Sequence, residues 1–323
     1  MVQQQALRDF DQSMRSFFKR THGRPSWRKA GRNEGFRVVA LRPSDVRRVS
    51  RHWGEVKVPK AGWVRFRWSR PVPDQAKSFR ITRDSAGRWH VAFAAMPGTV
   101  AAPGNGKVIG IDRGVAVSAA LSTGELLQCP HLTPVEQARL ARLERKLARA
   151  SRGSNRRRRG KRAIARVKAR EADRRRDWCE KTSTDLARRF DVIRVENLNV
   201  KAMTRSARGT ARAPGRNVAA KAGLNRGIQR AGWGLLARRI DEKAPGRVEK
   251  VPAAFTSQRC SACGHVDGKS RESQALFRCT ACKYACNADV NAAKKIAAGR
   301  AVKARGGDRA AGPMNREPQL LAP

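Results

Sequence analysis

The sequence predicts an α/β chain with a mixed sheet, preceded by a small all-β region, and three patterns carry that expectation. Residues 34–97 break into short runs rich in Trp, Phe, Val and Arg, punctuated by Pro and Gly. Two apolar runs each end on a carboxylate, Val108-Ile109-Gly110-Ile111-Asp112 and Val192-Ile193-Arg194-Val195-Glu196. Stretches with helical spacing alternate with those runs towards the end of the chain, the layout of a sheet with helices on it.

Each element follows in order. Leu7, Phe10, Met14, Phe17 and Phe18 recur at helical spacing, and the pattern breaks at Gly23-Arg24-Pro25. Strands are expected at Phe36–Leu41, Trp53–Val58, Trp63–Trp68, Phe79–Thr82 and Trp89–Ala95, and five short strands suggest a barrel or curled sheet, taken as a small β-barrel domain over 34–100. A Pro/Gly linker from Pro97 to Gly106 leads to a strand over Lys107–Asp112. Val115, Val117, Ala119 and Leu121 then alternate towards the turn Ser122-Thr123-Gly124-Glu125, which reads as a hairpin. Helices are expected over Pro134–Ala150 and Arg159–Phe190, then a strand over Val192–Glu196 and a mobile Gly/Ala/Arg-rich loop over 202–222. A helix at Leu224–Lys243, a strand at Arg247–Val251, a helix from Ala288 and a disordered tail at 304–323 complete the chain. From 107 to 300 this is the element order of a ribonuclease-H-like fold.

Charge narrows the function. The 323 residues carry 71 Lys or Arg against 26 Asp or Glu, a formal charge of +45, with 40% hydrophobic residues. A folded chain so basic repels itself unless a polyanion screens it, which disfavours a metabolic enzyme and makes nucleic acid the expected partner. Val115 to Leu121, interrupted by Ser118, and the uninterrupted Val91 to Met96 are both far short of the roughly 20 residues a membrane span needs, and Met1-Val2-Gln3-Gln4-Gln5 shows no apolar signal segment. No membrane partner is expected, and the location is expected to be cytoplasmic.

Five of the seven cysteines fall between 260 and 286. Cys260-Ser261-Ala262-Cys263 and Cys279-Thr280-Ala281-Cys282 form two Cys-x-x-Cys knuckles, 15 residues apart, that suit four thiolates around one Zn²⁺. Four thiolates leave no open position, so the zinc is structural. Gly264 permits the tight turn of the first knuckle, Lys283 stands at the matching place in the second, and Phe277 and Tyr284 supply apolar support. Cys286 is a competing ligand at a less suitable spacing.

Asp112 and Glu196 end buried-looking strands, and Asp289 sits in the first turn of the last helix with Asn287 as its cap. A carboxylate at the end of a buried strand is costly unless it binds a cation. Three converging at one sheet edge make an oxygen-only site suited to Mg²⁺ or Mn²⁺ and to phosphodiester cleavage. Each alone also reads as a turn, cap or helix-dipole residue.

These residues lie in motifs. Gly110-Ile111-Asp112-Arg113-Gly114 resembles the first RuvC motif of the TnpB-type, transposon-associated RNA-guided nucleases, a motif that type V CRISPR effectors share. Val195-Glu196-Asn197-Leu198-Asn199-Val200-Lys201-Ala202-Met203 resembles their second motif. Thr256-Ser257-Gln258-Arg259-Cys260-Ser261-Ala262-Cys263-Gly264-His265 and Asn287-Ala288-Asp289-Val290-Asn291-Ala292-Ala293 resemble their zinc knuckle and third motif. Gly223-Leu224-Asn225-Arg226 and Ala231-Gly232-Trp233-Gly234 extend the likeness over most of the chain.

The resemblance implies Asp112, Glu196 and Asp289 as metal-binding catalytic carboxylates. It implies a remnant of a helical recognition block over 1–33 and a wedge domain over 34–100 that grips guide RNA. A RuvC-like nuclease domain would occupy 107–255 with a helical insertion at 134–190. A zinc ribbon over 256–286 and the last nuclease segment over 287–303 would follow. It implies guide RNA and double- and single-stranded DNA as partners, in a bacterial cytoplasm. Arg113 and Asn197 depart from the family's usual Leu and Asp. Gln5-Ala6-Leu7-Arg8-Asp9-Phe10-Asp11-Gln12 resembles a segment well inside the family, so the opening strand and most of the recognition block are expected to be missing.

Residues 151–176 hold 13 Lys or Arg against Glu171 and Asp173. Arg156, Arg157, Arg158, Arg159, Lys161 and Arg162 are the expected phosphate contacts there. Twelve of the 18 aromatic residues precede residue 100, interleaved with Arg65 and Arg67 in Trp63-Val64-Arg65-Phe66-Arg67-Trp68, a pattern suited to RNA stacking and phosphate contact. The reading is an RNA-guided, Mg-dependent DNA endonuclease associated with a transposable element. The alternative is a catalytically compromised nucleic-acid-binding protein of the same fold.

Overall fold

A computed structural model describes residues 2–26, 34–96 and 98–299; the expected tail at 304–323 and part of the 1–33 segment lie outside the described residues. In chain order the elements begin with α1 (Val2–Phe18), β1 (Gly35–Val39), β2 (Val46–Arg48), β3 (Trp53–Val58), β4 (Gly62–Arg67), β5 (Ser78–Arg83) and β6 (Trp89–Phe93). Then come β7 (Val108–Asp112), β8 (Ala119–Leu121), β9 (Leu126–Leu127), α2 (Pro134–Ala148), α3 (Asn155–Arg189) and β10 (Val192–Glu196). The chain continues with α4 (Val200–Met203), α5 (Val218–Ala231), α6 (Trp233–Lys243), β11 (Val248–Val251), β12 (Leu276–Arg278), β13 (Ala285–Asn287) and α7 (Ala288–Ala297). Two compact units result. Among the described residues, one comprises those within 2–105, 128–191 and 200–247, the other 106–127, 192–199 and 248–299.

In the first unit, six strands replace the expected five, and they form two three-stranded antiparallel sheets, β1-β5-β6 and β2-β3-β4, rather than one closed barrel. Val46-Arg47-Arg48 is too short and too basic to announce itself as a strand, yet it pairs with β3 from Val46↔Val56 to Arg48↔Gly54. Strict alternation gives each sheet one apolar face. Val56 and Val58 are buried while Trp53 and Lys57 are exposed. Val38, Val56, Val58 and Phe79 make a shared core, closed by the Phe66 and Phe93 rings with centroids 5.8 Å apart.

The helices of this unit are capped from their own sequence. Thr133 and Glu136 form a capping box on α2. Ser154 caps α3, whose backbone N–H at Arg157 donates to the Ser154 hydroxyl at 3.1 Å. The helix therefore starts four residues before the expected Arg159. Leu132, Leu140, Ile164 and Val167 form the α2–α3 seam. The helix expected at 224–243 is two helices, because Gly232 adopts a left-handed φ of 74° between α5 and α6. The loop expected at 202–222 is shorter than its composition suggests: Val200–Met203 is a helical turn and α5 opens at Val218. Glu180 of α3 holds α6 through Arg239 at 2.6 Å and Lys243 at 2.9 Å.

The second unit is a five-stranded mixed sheet in the order β11-β10-β7-β8-β9. β10 runs parallel to both β7 and β11, with Val195 opposite Ile111 and Glu196 opposite Val251. The parallel strands are nearly continuous apolar runs because a helix covers them: Ile109, Ile111 and Ile193 are wholly buried, with Ala293 and Ile296 of α7. Arg194 of β10 donates to the Ala297 carbonyl at the end of α7 and pairs with Glu249 of β11 at 2.6 Å. Gly110 lets α7 approach β7 closely. A Cβ there would lie 2.1 Å from the Ala293 carbonyl oxygen and 2.3 Å from the Ala297 nitrogen, both backbone atoms that cannot step aside. Gly110→Ala is expected to lower unfolding stability by about 3 kcal/mol, measured by urea denaturation.

Candidate active site and zinc ribbon

The sheet register brings two of the three expected carboxylates together. β7 and β10 are adjacent and parallel, so Asp112 and Glu196 emerge at the same C-terminal edge. α7 packs on β7 and carries Asp289 in its first turn, where the Asn287 side chain accepts from the Asp289 and Val290 backbone N–H groups at 3.0 and 3.2 Å. Glu196 and Asp289 are each 8% exposed. Burial pushes the Asp112 carboxyl well above its ordinary range, and the negative charges of Glu196 and Asp289 push it further. Burial also raises Asp289.

Three residues around this cluster were not legible as site residues. Arg271 donates to Asp289 Oδ1 at 3.1 Å, and its charge opposes the upward shifts of both Asp112 and Asp289. The Thr256 hydroxyl donates to Glu196 Oε1, with the Ala253 carbonyl also within reach at 3.1 Å. Arg113, 6% exposed, donates to the Glu196 backbone carbonyl and so ties the end of β10 to the end of β7. Arg113 and Thr256 lie inside the motifs, but only the fold shows what they touch. Arg271 reaches Asp289 across 18 residues and carries no local signal.

The four expected zinc ligands converge. The sulfur atoms of Cys260, Cys263, Cys279 and Cys282 all lie within 4.8 Å of one another, and among the described residues theirs is the one such Cys/His/Asp/Glu set. Cys260 and Cys282 sulfurs are 3.7 Å apart, and those of Cys263 and Cys279 3.6 Å apart. Thiolates at 2.3 Å around a tetrahedral ion stand about 3.8 Å from each other, so the residues fit zinc. The Cys282 backbone N–H points at the Cys279 sulfur at 3.5 Å and, as the largest influence, holds that thiol down at about 6. Cys286 is outside the set; it pairs with Phe277 across β12 and β13. Phe277 and Tyr284 pack against the knuckles as expected. Both knuckles turn through left-handed backbone, Gly264 at φ 80° and Lys283 at φ 60°.

The expected nucleic-acid contacts divide. Arg156, Arg158, Arg159, Lys161 and Arg162 are exposed on the first turns of α3, which opens without an acidic residue. Arg157 is committed elsewhere: its guanidinium donates to the Leu147 and Ala150 carbonyls at 3.0 and 3.1 Å, one in the last turn of α2 and one just beyond its end. Arg65 and Arg67 lie on the exposed face of β4, Arg65 beside Glu55 at 3.5 Å and Arg67 opposite the exposed Trp53. On the same face, the Arg47 guanidinium stacks 4.2 Å from the centroid of Trp63. Among the described residues, no helix is long and apolar enough to cross a membrane.

Comparison with known proteins agrees with this arrangement. The family model OrfB_IS605, "Probable transposase", matches residues 92–207, and the model "Cas12f1-like, TNB domain" matches residues 233–296. The chain is 38% identical over 322 residues to InsQ of Escherichia coli (strain K12), which carries the name of an RNA-guided DNA endonuclease; the match covers 98% of this chain and 78% of that protein. It is 32% identical over 313 residues to a Streptomyces pristinaespiralis protein with the same kind of name, covering 94% and 72%. The solved structure of a Cas12f1–sgRNA–target DNA complex shares the fold, with a TM-score of 0.50 at 14% identity over 88% of this chain and 67% of that one.

Proposed function

We propose, because the chain belongs to the TnpB-type family of transposon-associated RNA-guided DNA endonucleases, that it hydrolyses DNA phosphodiester bonds at Asp112, Glu196 and Asp289 under the direction of a bound RNA. The observation that carries the reading is the strand register that sets Asp112 and Glu196 side by side at the ends of β7 and β10, with Asp289 in the first turn of α7, the helix packed on β7; a divalent cation would relieve the crowding of negative charge on the buried Asp112. Asp112, Glu196 and Asp289 would hold Mg²⁺ or Mn²⁺, and bound ions of this kind supply the positive charge that lowers the barrier to phosphodiester hydrolysis.

The chain's own residues do the positioning. Thr256 fixes one Glu196 oxygen and Arg113 fixes the Glu196 backbone. Arg271 offsets part of the negative charge and is the side-chain type that clamps a phosphate through planar hydrogen bonding. Beyond a short target-adjacent motif, sequence choice needs no base-reading residue in such an enzyme, since pairing with the guide supplies it. The basic opening of α3 and the Arg/Trp face of β2-β3-β4 serve as phosphate and base contacts that read no sequence.

Sequencing the RNA that co-purifies with the chain, expressed with its flanking DNA, tests this. A discrete RNA from its own locus supports the guided reading; random cellular RNA opposes it. Replacing Arg156, Arg158, Arg159, Lys161 and Arg162 together by Gln is expected to weaken RNA binding and reduce the slope of log affinity against log salt by about 4. Filter binding across a salt series measures that slope.

A further inference from the structure

Asp289 has a neighbour on α7 whose side chain is wholly enclosed. Asn291 is 0% exposed, and both polar atoms of its amide are hydrogen-bonded. Its Oδ1 accepts from the Ser261 backbone N–H at 2.9 Å, and its Nδ2 donates to the Arg259 carbonyl at 2.8 Å. These are the residues on either side of Cys260, itself buried and 3.7 Å from the Cys282 sulfur. A side chain two residues from the proposed catalytic carboxylate thus holds both flanks of a zinc ligand. Only an amide of this length offers one acceptor and one donor in that order; a carboxylate lacks the donor and an alkyl group lacks both.

The chain path strengthens the link. β12 and β13 lie beyond the first knuckle and pair from Leu276↔Asn287 to Arg278↔Ala285, and β13 runs directly into α7. The Ala288 N–H donates to the Ala275 carbonyl at 2.9 Å, and Arg271, also within the ribbon segment, bonds Asp289. The start of α7 is therefore held by the ribbon strands through its backbone, by the first knuckle through Asn291, and by Arg271 through Asp289.

We infer that Asn291 is a positioning residue that couples the two metal sites: its amide seats the Cys260 knuckle on α7, so that zinc ligation and the placement of Asp289 depend on one another. This rests on the reading of Asp289 as a ligand of the catalytic cation. Coupling between two sites is reciprocal, and because one arrangement of α7 and the first knuckle serves both sites, filling either site favours the arrangement that binds the other metal. Groups that orient metal ligands typically change metal affinity by about 10- to 100-fold when removed.

The test is a Co²⁺ titration of the full chain with its bound RNA, followed through thiolate-to-cobalt absorption, with and without Mg²⁺. In the wild type, Mg²⁺ is expected to tighten Co²⁺ binding about tenfold. In Asn291→Ala, Co²⁺ affinity falls about 10- to 100-fold and the Mg²⁺ effect disappears. A wild type indifferent to Mg²⁺, or an Asn291→Ala variant that keeps the full effect, overturns the coupling. Should Asn291→Ala fail to fold, the wild-type effect and its loss in Asp289→Ala decide the same question. Separately, if Asp289→Ala cleaves DNA as the wild type does, the site reading fails; the Co²⁺ affinity of Asn291→Ala still reports on the knuckle alone.

Discussion

Asparagine in place of Asp112 will leave the chain folded and its RNA bound while lowering target-DNA cleavage about a thousandfold. Losing one cation ligand removes about 4 kcal/mol of transition-state stabilisation, and each 1.4 kcal/mol is a factor of ten. The same change will raise the thermal midpoint of the Mg²⁺-free protein, because a buried carboxylate crowded by Glu196 and Asp289 is replaced by a neutral group of the same shape. The paired result matters more than either half. Lost activity with reduced stability would describe a structural residue, whereas lost activity with increased stability identifies a site whose charge is held for chemistry. Single-turnover cleavage and differential scanning fluorimetry measure the two.

The second large effect concerns the ribbon. Cys279→Ser will abolish stoichiometric zinc and unfold the segment from 256 to 286, since thiolate ligation contributes about 10–16 kcal/mol to small zinc modules that have little other core. Here that core is Cys260, Phe277, Cys279 and Ala288, half of it the ligands themselves. Because Arg271 and the strand leading into α7 belong to this region, cleavage is expected to fall with the zinc. Limited proteolysis will show new cuts between residues 256 and 286, and metal analysis will show no zinc. A variant that keeps a protease-resistant ribbon without zinc would contradict the account.

What could be read from the sequence, and what could not, follows the range of the interaction. The zinc ligands are local: two Cys-x-x-Cys knuckles announce themselves, and the structure brings those four sulfurs together while leaving Cys286 aside. The carboxylates were legible because each ends a strand or opens a helix, and parallel pairing then aligns Asp112 with Glu196. Arg271 was not legible, since its approach to Asp289 depends on the ribbon's tertiary path. Arg157 looked like its basic neighbours, but it faces the end of α2, so its charge serves two carbonyls. Lys283 hid a left-handed turn that Gly264 advertised. In the β region, alternation identified the strands but not which sheet each joins; β1 pairs with β5, far along the chain, and the short basic β2 supplies a third strand to the other sheet.

The claim at the centre is that bound RNA chooses the bond and the three carboxylates cut it. Its most direct test is to change the guide segment of the co-purifying RNA and map cleavage on a plasmid carrying both the old and the new matching sites, in Mg²⁺, with wild-type and Asp112→Ala protein. The account predicts that the wild-type cut moves to the new site and that the variant cuts neither. A cut that stays in place when the guide changes, or one that Asp112→Ala still makes, would contradict it.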